Sequence, residues 1–296
     1  MFLVSDIVLL SSSKIKSPGA KLRSLINNDH SLIVPGVSSP IVAMIAQQIG
    51  FDSLYISGAA TSTNLGLPDV GLITMSEVLD LSSSIINNVP LPLIVDVDTG
   101  FGDVVNVSRT VKSFEQIGVA GVQLEDQVLP KKCGHLDGKQ LVSPEEMAEK
   151  IIMASKSRTD DDFVIIARTD ARSVNGFDDS ILRAKLYLES GADVIFPEAL
   201  ESESEFVEFA KKIDAPLLAN MTEFGKSPYL SVEQFENMGY SIILFPVTVL
   251  RSMLKAADSS LRELKLKGTQ VNLVDKIMKR SEIYEIINYR EFVNIE

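Results

Sequence analysis

Short apolar runs of three to five residues, rich in Val, Ile and Leu, alternate with longer amphipathic stretches along almost the whole chain. A strand buried on both faces reads as a continuous apolar run, whereas a helix that covers it shows only an apolar stripe, so the alternation predicts βα units on a parallel sheet. Eight runs stand at 32–34, 53–56, 93–96, 121–124, 164–167, 194–196, 216–219 and 241–245. Helices are predicted after them at 40–49, 75–87, 104–117, 144–157, 178–190, 203–212, 232–238 and 250–267. Eight strand–helix pairs predict an α/β protein of the (β/α)8 TIM barrel class.

The apolar runs end in polar or small residues: Ser57-Gly58-Ala59, Asp96-Val97-Asp98, Glu125-Asp126, Arg168-Thr169-Asp170, Glu198 and Asn220-Met221-Thr222. A barrel builds its active site at the C-terminal ends of its strands, while an open doubly wound sheet does so only near its switch point. Polar endings on so many strands favour convergence on one axis. Beyond the eighth unit, a further helix at 272–283 and a segment at 284–296 exceed what a minimal barrel needs. They imply packing across the chain's own barrel or exchange with a partner chain. No linker or composition shift divides the chain after its N-terminal stretch, so one domain is expected over 18–296, preceded by a tail at 1–17. The tail's apolar residues 1–10 are interrupted by Asp6 and lack an early basic region, which fits neither a signal peptide nor a membrane span.

The formal net charge of -12 argues against nucleic-acid or anionic-membrane binding, both of which rely on basic patches. The single cysteine cannot form an internal disulfide, and a cytoplasmic setting is expected.

That cysteine, Cys133, lies in Lys131-Lys132-Cys133-Gly134-His135, where cationic neighbours are expected to favour the thiolate. Nucleophile and general acid are both open from this segment alone. Asp96 and Asp98, two apart at a strand end, point to one face, and with Glu125 on the next strand they supply three oxygen ligands suited to Mg2+ or Mn2+. Zinc does not fit a chain whose only histidines are His30 and His135. Asp69 can reach the same mouth. Arg168, Arg251 and Arg280 are candidates for substrate carboxylates, because the guanidinium fork matches carboxylate geometry. The loop at 128–140 is expected to open and close, carrying Cys133 over the metal. A metal, carboxylate-binding cations and a mobile thiol suggest cleavage of a carbon–carbon bond next to a carboxylate, with the thiol as general acid and no organic cofactor.

The thiol motif resembles the signature of the isocitrate lyase and phosphoenolpyruvate mutase superfamily. Tyr55-Ile56-Ser57-Gly58, Leu65-Gly66-Leu67-Pro68-Asp69, Asp96-Val97-Asp98-Thr99-Gly100-Phe101-Gly102, Glu125-Asp126-Gln127, Ala167-Arg168-Thr169-Asp170, Phe196-Pro197-Glu198-Ala199 and 219–225 extend the likeness. Within the superfamily these motifs are similar to the branch that cleaves 2-methylisocitrate, and the likeness runs from about residue 17 to 289. It implies a Mg2+-dependent barrel, a hydroxy tricarboxylate substrate split into pyruvate and succinate in the methylcitrate route of propionate use, and a homotetramer with exchanged C-terminal helices. By motif it implies Asp96, Asp98 and Glu125 at the metal, Cys133 as general acid with His135 and Arg168 in the catalytic set, and Tyr55 as a base or polariser. It further implies substrate contacts from Ser57, Gly58, Ala59, Asp69, Gly134, Glu198, Asn220, Thr222, Arg251 and Arg280. Isocitrate, 2,3-dimethylmalate and, more distantly, phosphonomutase chemistry are the alternatives. The chain departs from the branch at Ala59, where a second glycine is usual, in a slightly shorter stretch down to Asp69, and in its apolar tail.

Overall fold

The computed structural model describes residues 16–293, so residues 1–15 of the expected tail lie outside the described residues. The chain opens with α1 (Pro18–Ile26), β1 (Leu32–Pro35), α2 (Pro40–Ile49), β2 (Leu54–Ile56), α3 (Gly58–Asn64), α4 (Met75–Ile86) and β3 (Leu93–Asp96). It continues through α5 (Val104–Gln116), β4 (Gly121–Glu125), α6 (Pro144–Ser157), β5 (Val164–Thr169), α7 (Ala171–Val174), α8 (Phe177–Glu189) and β6 (Val194–Pro197). It closes with α9 (Glu203–Lys212), β7 (Leu218–Asn220), α10 (Val232–Met238), β8 (Ile242–Phe245), α11 (Thr248–Lys267), a 3-10 turn (Val271–Lys276), α12 (Arg280–Ile286) and α13 (Tyr289–Val293). All eight expected strands are present.

Strands β2 to β6 pair in sequence order and β8 lies between β1 and β7, every pairing parallel. Bridges from Gly36 to Tyr55 and from Ile195 to Leu217 join the two groups, closing the ring into the expected (β/α)8 barrel. Side chains alternate between two cores, as the period of two requires. Val34, Tyr55, Ile94, Val164, Ile166, Phe196, Leu218, Ile242 and Leu244 fill the barrel. Ile56, Val95, Val122, Ile165, Ile195 and Ile243 instead face outward and pack against Val78, Val107, Phe114, Ile151 and Phe206 of the surrounding helices.

Helix α1, absent from the sequence expectation, plugs the bottom of the barrel with Leu22 and Ile26. Its start was legible, because Ser17 caps Ala20 N–H at 3.1 Å and Pro18 takes the first helical position. Arg23 fixes it by donating to the Asp162 carbonyl at 2.9 Å and pairing with Asp193 at 2.8 Å.

The C-terminal expectation needs correction. The helix predicted over 272–283 is broken, because the Glu282 carboxylate accepts the Lys279 N–H at 2.6 Å and starts a new helix at Arg280. Helix α12 packs across the chain's own α2, burying Ile286. Only Leu250 is buried on the 20-residue α11, whose Met253, Leu254, Leu261 and Leu264 are exposed. No described helix is long and apolar enough to cross a membrane.

Closure at β1 depends on a bare backbone. Gly36 N–H donates to the Phe245 carbonyl at 2.8 Å, and a Cβ on Gly36 would lie 1.9 Å from the Pro246 carbonyl oxygen. Gly36→Ala is therefore expected to cost about 3 kcal/mol of stability, since backbone rather than a side-chain end must yield. Chemical denaturation reads this directly; an unchanged midpoint would contradict it.

Candidate active site

The C-terminal strand ends converge on one cavity of about 50 Å3. Tyr55, Ser57, Ala59, Asp69, Asp96, Cys133, Gly134, His135, Arg168, Glu198, Asn220 and Thr222 all line it, so twelve sequence-derived candidates meet in space. The carboxylates of Asp96, Asp98 and Glu125 are buried and offer oxygens within 4.8 Å of one another. Asp96 ends β3, but Asp98 lies beyond the strand at φ 47, so a left-handed turn rather than strand alternation brings it back. Asp96 steadies that turn by accepting the Asp98 N–H at 3.1 Å and the Gly58 N–H at 3.0 Å.

This donor set fits a hard divalent cation. Neither buried oxygen of Glu125 accepts a hydrogen bond, and Arg168 Nη1 is 3.4 Å from its Oε2. Burial pushes the Glu125 carboxyl well above its usual range, with Arg168 opposing. Burial and then Asp96 push Asp98 up to about 6, against the pull of Lys131. Three buried hard oxygen donors, two of which resist charging without a counter-cation, are the chemistry that Mg2+ matches.

Lys131, expected only to bear on the thiol, enters this cluster instead. Its ammonium pairs with Asp69 and lies 2.8 Å from Asp98 Oδ1. Burial alone would lower its pKa, but Glu125, Asp98, Asp96 and Asp69 outweigh it, and Lys131 is held above its ordinary value. Lys132 points away, donating to the Gly138 carbonyl at 2.9 Å. Neither lysine therefore activates the thiol as adjacency suggested. Burial raises the pKa of the half-buried Cys133, and Glu198 adds to it, against the His135 N–H and Arg168. The expectation of a thiolate is thus overturned: the thiol keeps its proton at neutral pH, as a general acid must.

Arg168 organises the opposite wall. It grips Asp170 through Nε at 3.0 Å and Nη2 at 3.1 Å, lies 3.3 Å from Glu198 Oε2 through Nη1, and stands over the Phe196 ring at 5.3 Å. Burial would raise the Glu198 carboxyl, but Arg168, His135 and Lys139 prevail and hold it well below the usual range. Asn220 Nδ2 donates to Glu198 at 3.2 Å. His135 Nδ1 accepts the Lys226 N–H at 3.0 Å, which places its proton on Nε2, 3.0 Å from Glu198 Oε1.

Tyr55 lies deeper. Its hydroxyl donates to Gln123 Oε1 at 2.5 Å, and burial followed by Asp96 keeps the phenol far above its ordinary range, with Arg168 opposing. It remains protonated, which suits a fixed polar group and not a base. Gln123 precedes Glu125 by two on β4 and shares its inward face, the only sequence signal for its role.

Three expected substrate contacts are not brought to the cavity by this chain; Gly58 does not line it and gives its N–H to Asp96. Arg251 stands 5.4 Å over the exposed Phe224 ring and reaches Glu223, outside the cavity. Arg280 begins α12 on the surface.

Fold and site together define a parallel-barrel enzyme with a buried acidic cation site beneath a thiol-bearing loop. The family profile described as phosphoenolpyruvate phosphomutase matches residues 22–265, and the chain belongs to the phosphoenolpyruvate mutase and isocitrate lyase superfamily. A relative named 2-methylisocitrate lyase, from Aeropyrum pernix, is 53% identical over 278 residues, 94% of this chain and 90% of that one. A solved 2,3-dimethylmalate lyase shares 33% identity at TM-score 0.89, covering 95% of each chain. A phosphonopyruvate hydrolase solved with oxalate and Mg++ shares 27% identity at TM-score 0.85, covering 94% of this chain and 97% of that one.

The cation site also has a backbone wall. A Cβ on Gly58 would lie 2.9 Å from Asp98 Oδ1 and 3.1 Å from Asp96 Oδ2. Gly58→Ala is expected to weaken Mg2+ binding roughly 10- to 100-fold by displacing these carboxylates. Calorimetric titration with Mg2+ checks this, and wild-type affinity in the variant would refute the role.

Proposed function

We propose that this protein is a Mg2+-dependent carbon–carbon lyase that splits 2-methylisocitrate into pyruvate and succinate. The observation that carries the reading is the meeting of the Cys133 thiol with Asp96 and Arg168 in one small cavity, in a chain 53% identical to a named 2-methylisocitrate lyase over nearly its whole length. Asp96, Asp98 and Glu125 hold the metal, with Mn2+ as a substitute. When bound, Mg2+ supplies Lewis-acid stabilisation of negative charge on substrate oxygens.

The chain's own residues do the rest. The substrate's tertiary hydroxyl loses its proton to solvent water as the C2–C3 bond breaks; the C2 fragment becomes pyruvate, and the bonding electrons pass to C3. Cys133 gives its proton to that carbon, completing succinate, and a proton from solvent water restores the thiol. Arg168, held over Phe196 and gripped by Asp170, balances carboxylate charge through both halves of the reaction. His135 presents an Nε2–H towards Glu198, fixing the wall beside the thiol, while Tyr55 polarises. Ser57, Gly134, Asn220 and Thr222 supply polar contacts. Ala59, Leu244, Pro246 and Val247 form an apolar side suited to the 2-methyl group. The small cavity requires the 128–140 loop to withdraw for a seven-carbon acid to enter.

A domain over 18–296, a cytoplasmic setting and a homotetramer complete the proposal. Exposed apolar residues along α11 support assembly, because an isolated chain seldom leaves so continuous a stripe uncovered. Arg251 and Arg280 lie at or beyond this helix, and their substrate roles belong to the assembled protein.

In a coupled pyruvate assay, chelation is expected to abolish turnover and Cys133→Ser to reduce kcat about 10²- to 10⁴-fold. Isocitrate, lacking one methyl, should trail 2-methylisocitrate by about 1–3 kcal/mol in kcat/KM, and equal or better turnover of isocitrate or 2,3-dimethylmalate would overturn the substrate assignment. Sedimentation should give a tetramer, and Leu261→Asp with Leu264→Asp should shift it towards smaller species; a wild-type monomer would refute the assembly.

A further inference from the structure

The loop that carries Cys133 is clasped at its root, where Gln127 bridges Leu141 and Val128 N–H donates to the Gln140 carbonyl at 2.8 Å. Lys139 sits at this root, yet its side chain is buried, 1% exposed, and runs back under the tip. Its ammonium lies 3.0 Å from Asp170 Oδ1 and also donates to the carbonyl of Gly134, the residue after the thiol. Asp170 is simultaneously the carboxylate that grips Arg168. A buried ammonium must keep its partners, because leaving the charge unpaired costs far more than a surface ion pair gains.

We propose that Lys139 is a positioning residue that latches the loop shut: its root end stays on Asp170, and the bond to the Gly134 carbonyl forms only when the tip descends. The latch ties thiol placement to the carboxylate that orients Arg168, so both halves of the site are set by one ammonium. Packing favours a backbone carbonyl as the second acceptor. The tip approaches so closely that a Cβ on Gly134 would lie 2.4 Å from Arg168 Nη2, leaving no room there for a side-chain acceptor. Lys132 secures the same closure from the other side, from the tip to the Gly138 carbonyl at the root.

The inference rests on the loop motion of the proposed lyase, but its test does not need turnover. Cys133 is the only thiol, so its alkylation by iodoacetamide in the Mg2+-loaded full-length protein, compared at equal thiolate fraction from the pH dependence of the rate, reports loop opening. Lys139→Met is expected to raise the alkylation rate about tenfold, the loss of one charge-assisted hydrogen bond, with Lys139→Gln between it and wild type. In the lyase assay kcat should fall more than KM rises. Wild-type alkylation rates in the folded variants would overturn the latch. Should Lys139→Met fail to fold, Lys139→Gln decides alone, because its uncharged amide is one atom shorter and cannot span from Asp170 to the Gly134 carbonyl: a wild-type rate refutes the latch, and a faster one supports it. Absence of lyase activity in wild type with faster alkylation in the variants would instead sink the lyase reading and spare the latch.

Discussion

The structure turns on the neutralisation of carboxylates crowded at the mouth of the barrel. Asp96, Asp98, Glu125, Asp126, Asp170 and Glu198 are all buried there, and four buried cations, Lys131, Lys139, Arg168 and Arg183, make contact with them. Six buried carboxylates against four cations leave a formal surplus of negative charge, which Lys131 relieves less because it is shared with the partly buried Asp69. The surplus is not spread evenly. Asp126 is satisfied by Thr169, Asp170 N–H, Arg183 and Tyr187, and Glu198 by Arg168, His135 and Asn220. What is left without hydrogen bonds is Glu125, beside Asp96 and Asp98. Desolvation concentrates the deficit at the acidic cluster proposed to hold the metal.

The barrel was legible because buried parallel strands must be apolar throughout, and the register of polar endings marked the functional rim. Helices 40–49, 144–157, 203–212 and 232–238 were bounded correctly, since Ser39-Pro40, Ser143-Pro144, Ser202 and Ser231 announce their starts. The C-terminal segment was not, because a backbone turn made by Glu282 does not interrupt the periodicity that suggests one helix. Most candidate site residues met in space for a simple reason: eight strand ends have one place to point.

Charge direction was the harder reading. Lys131 and Lys132 flank the thiol in sequence, but one is drawn into the metal cluster and the other to Gly138, leaving Cys133 beside Glu198. Adjacency along a loop says little about which neighbour a long flexible side chain chooses. Lys139 carried no local signal at all, since its partner Asp170 is remote in sequence and only closure buries the pair.

The two walls of the cavity differ in what they allow to change. On one side Gly134 is jammed against Arg168 and Glu198, and Gly225 against the His135 ring, so even a methyl group has nowhere to go. Elsewhere in the lining, Ala59, Leu244, Pro246 and Val247 present apolar surface. Substitution is thus sterically open at the apolar positions, proposed above to meet the substrate's substituent, and closed beside Arg168, Glu198 and His135. Within this chain, then, a change of accepted acid is sterically cheaper at the apolar positions than any change beside Gly134 and Gly225.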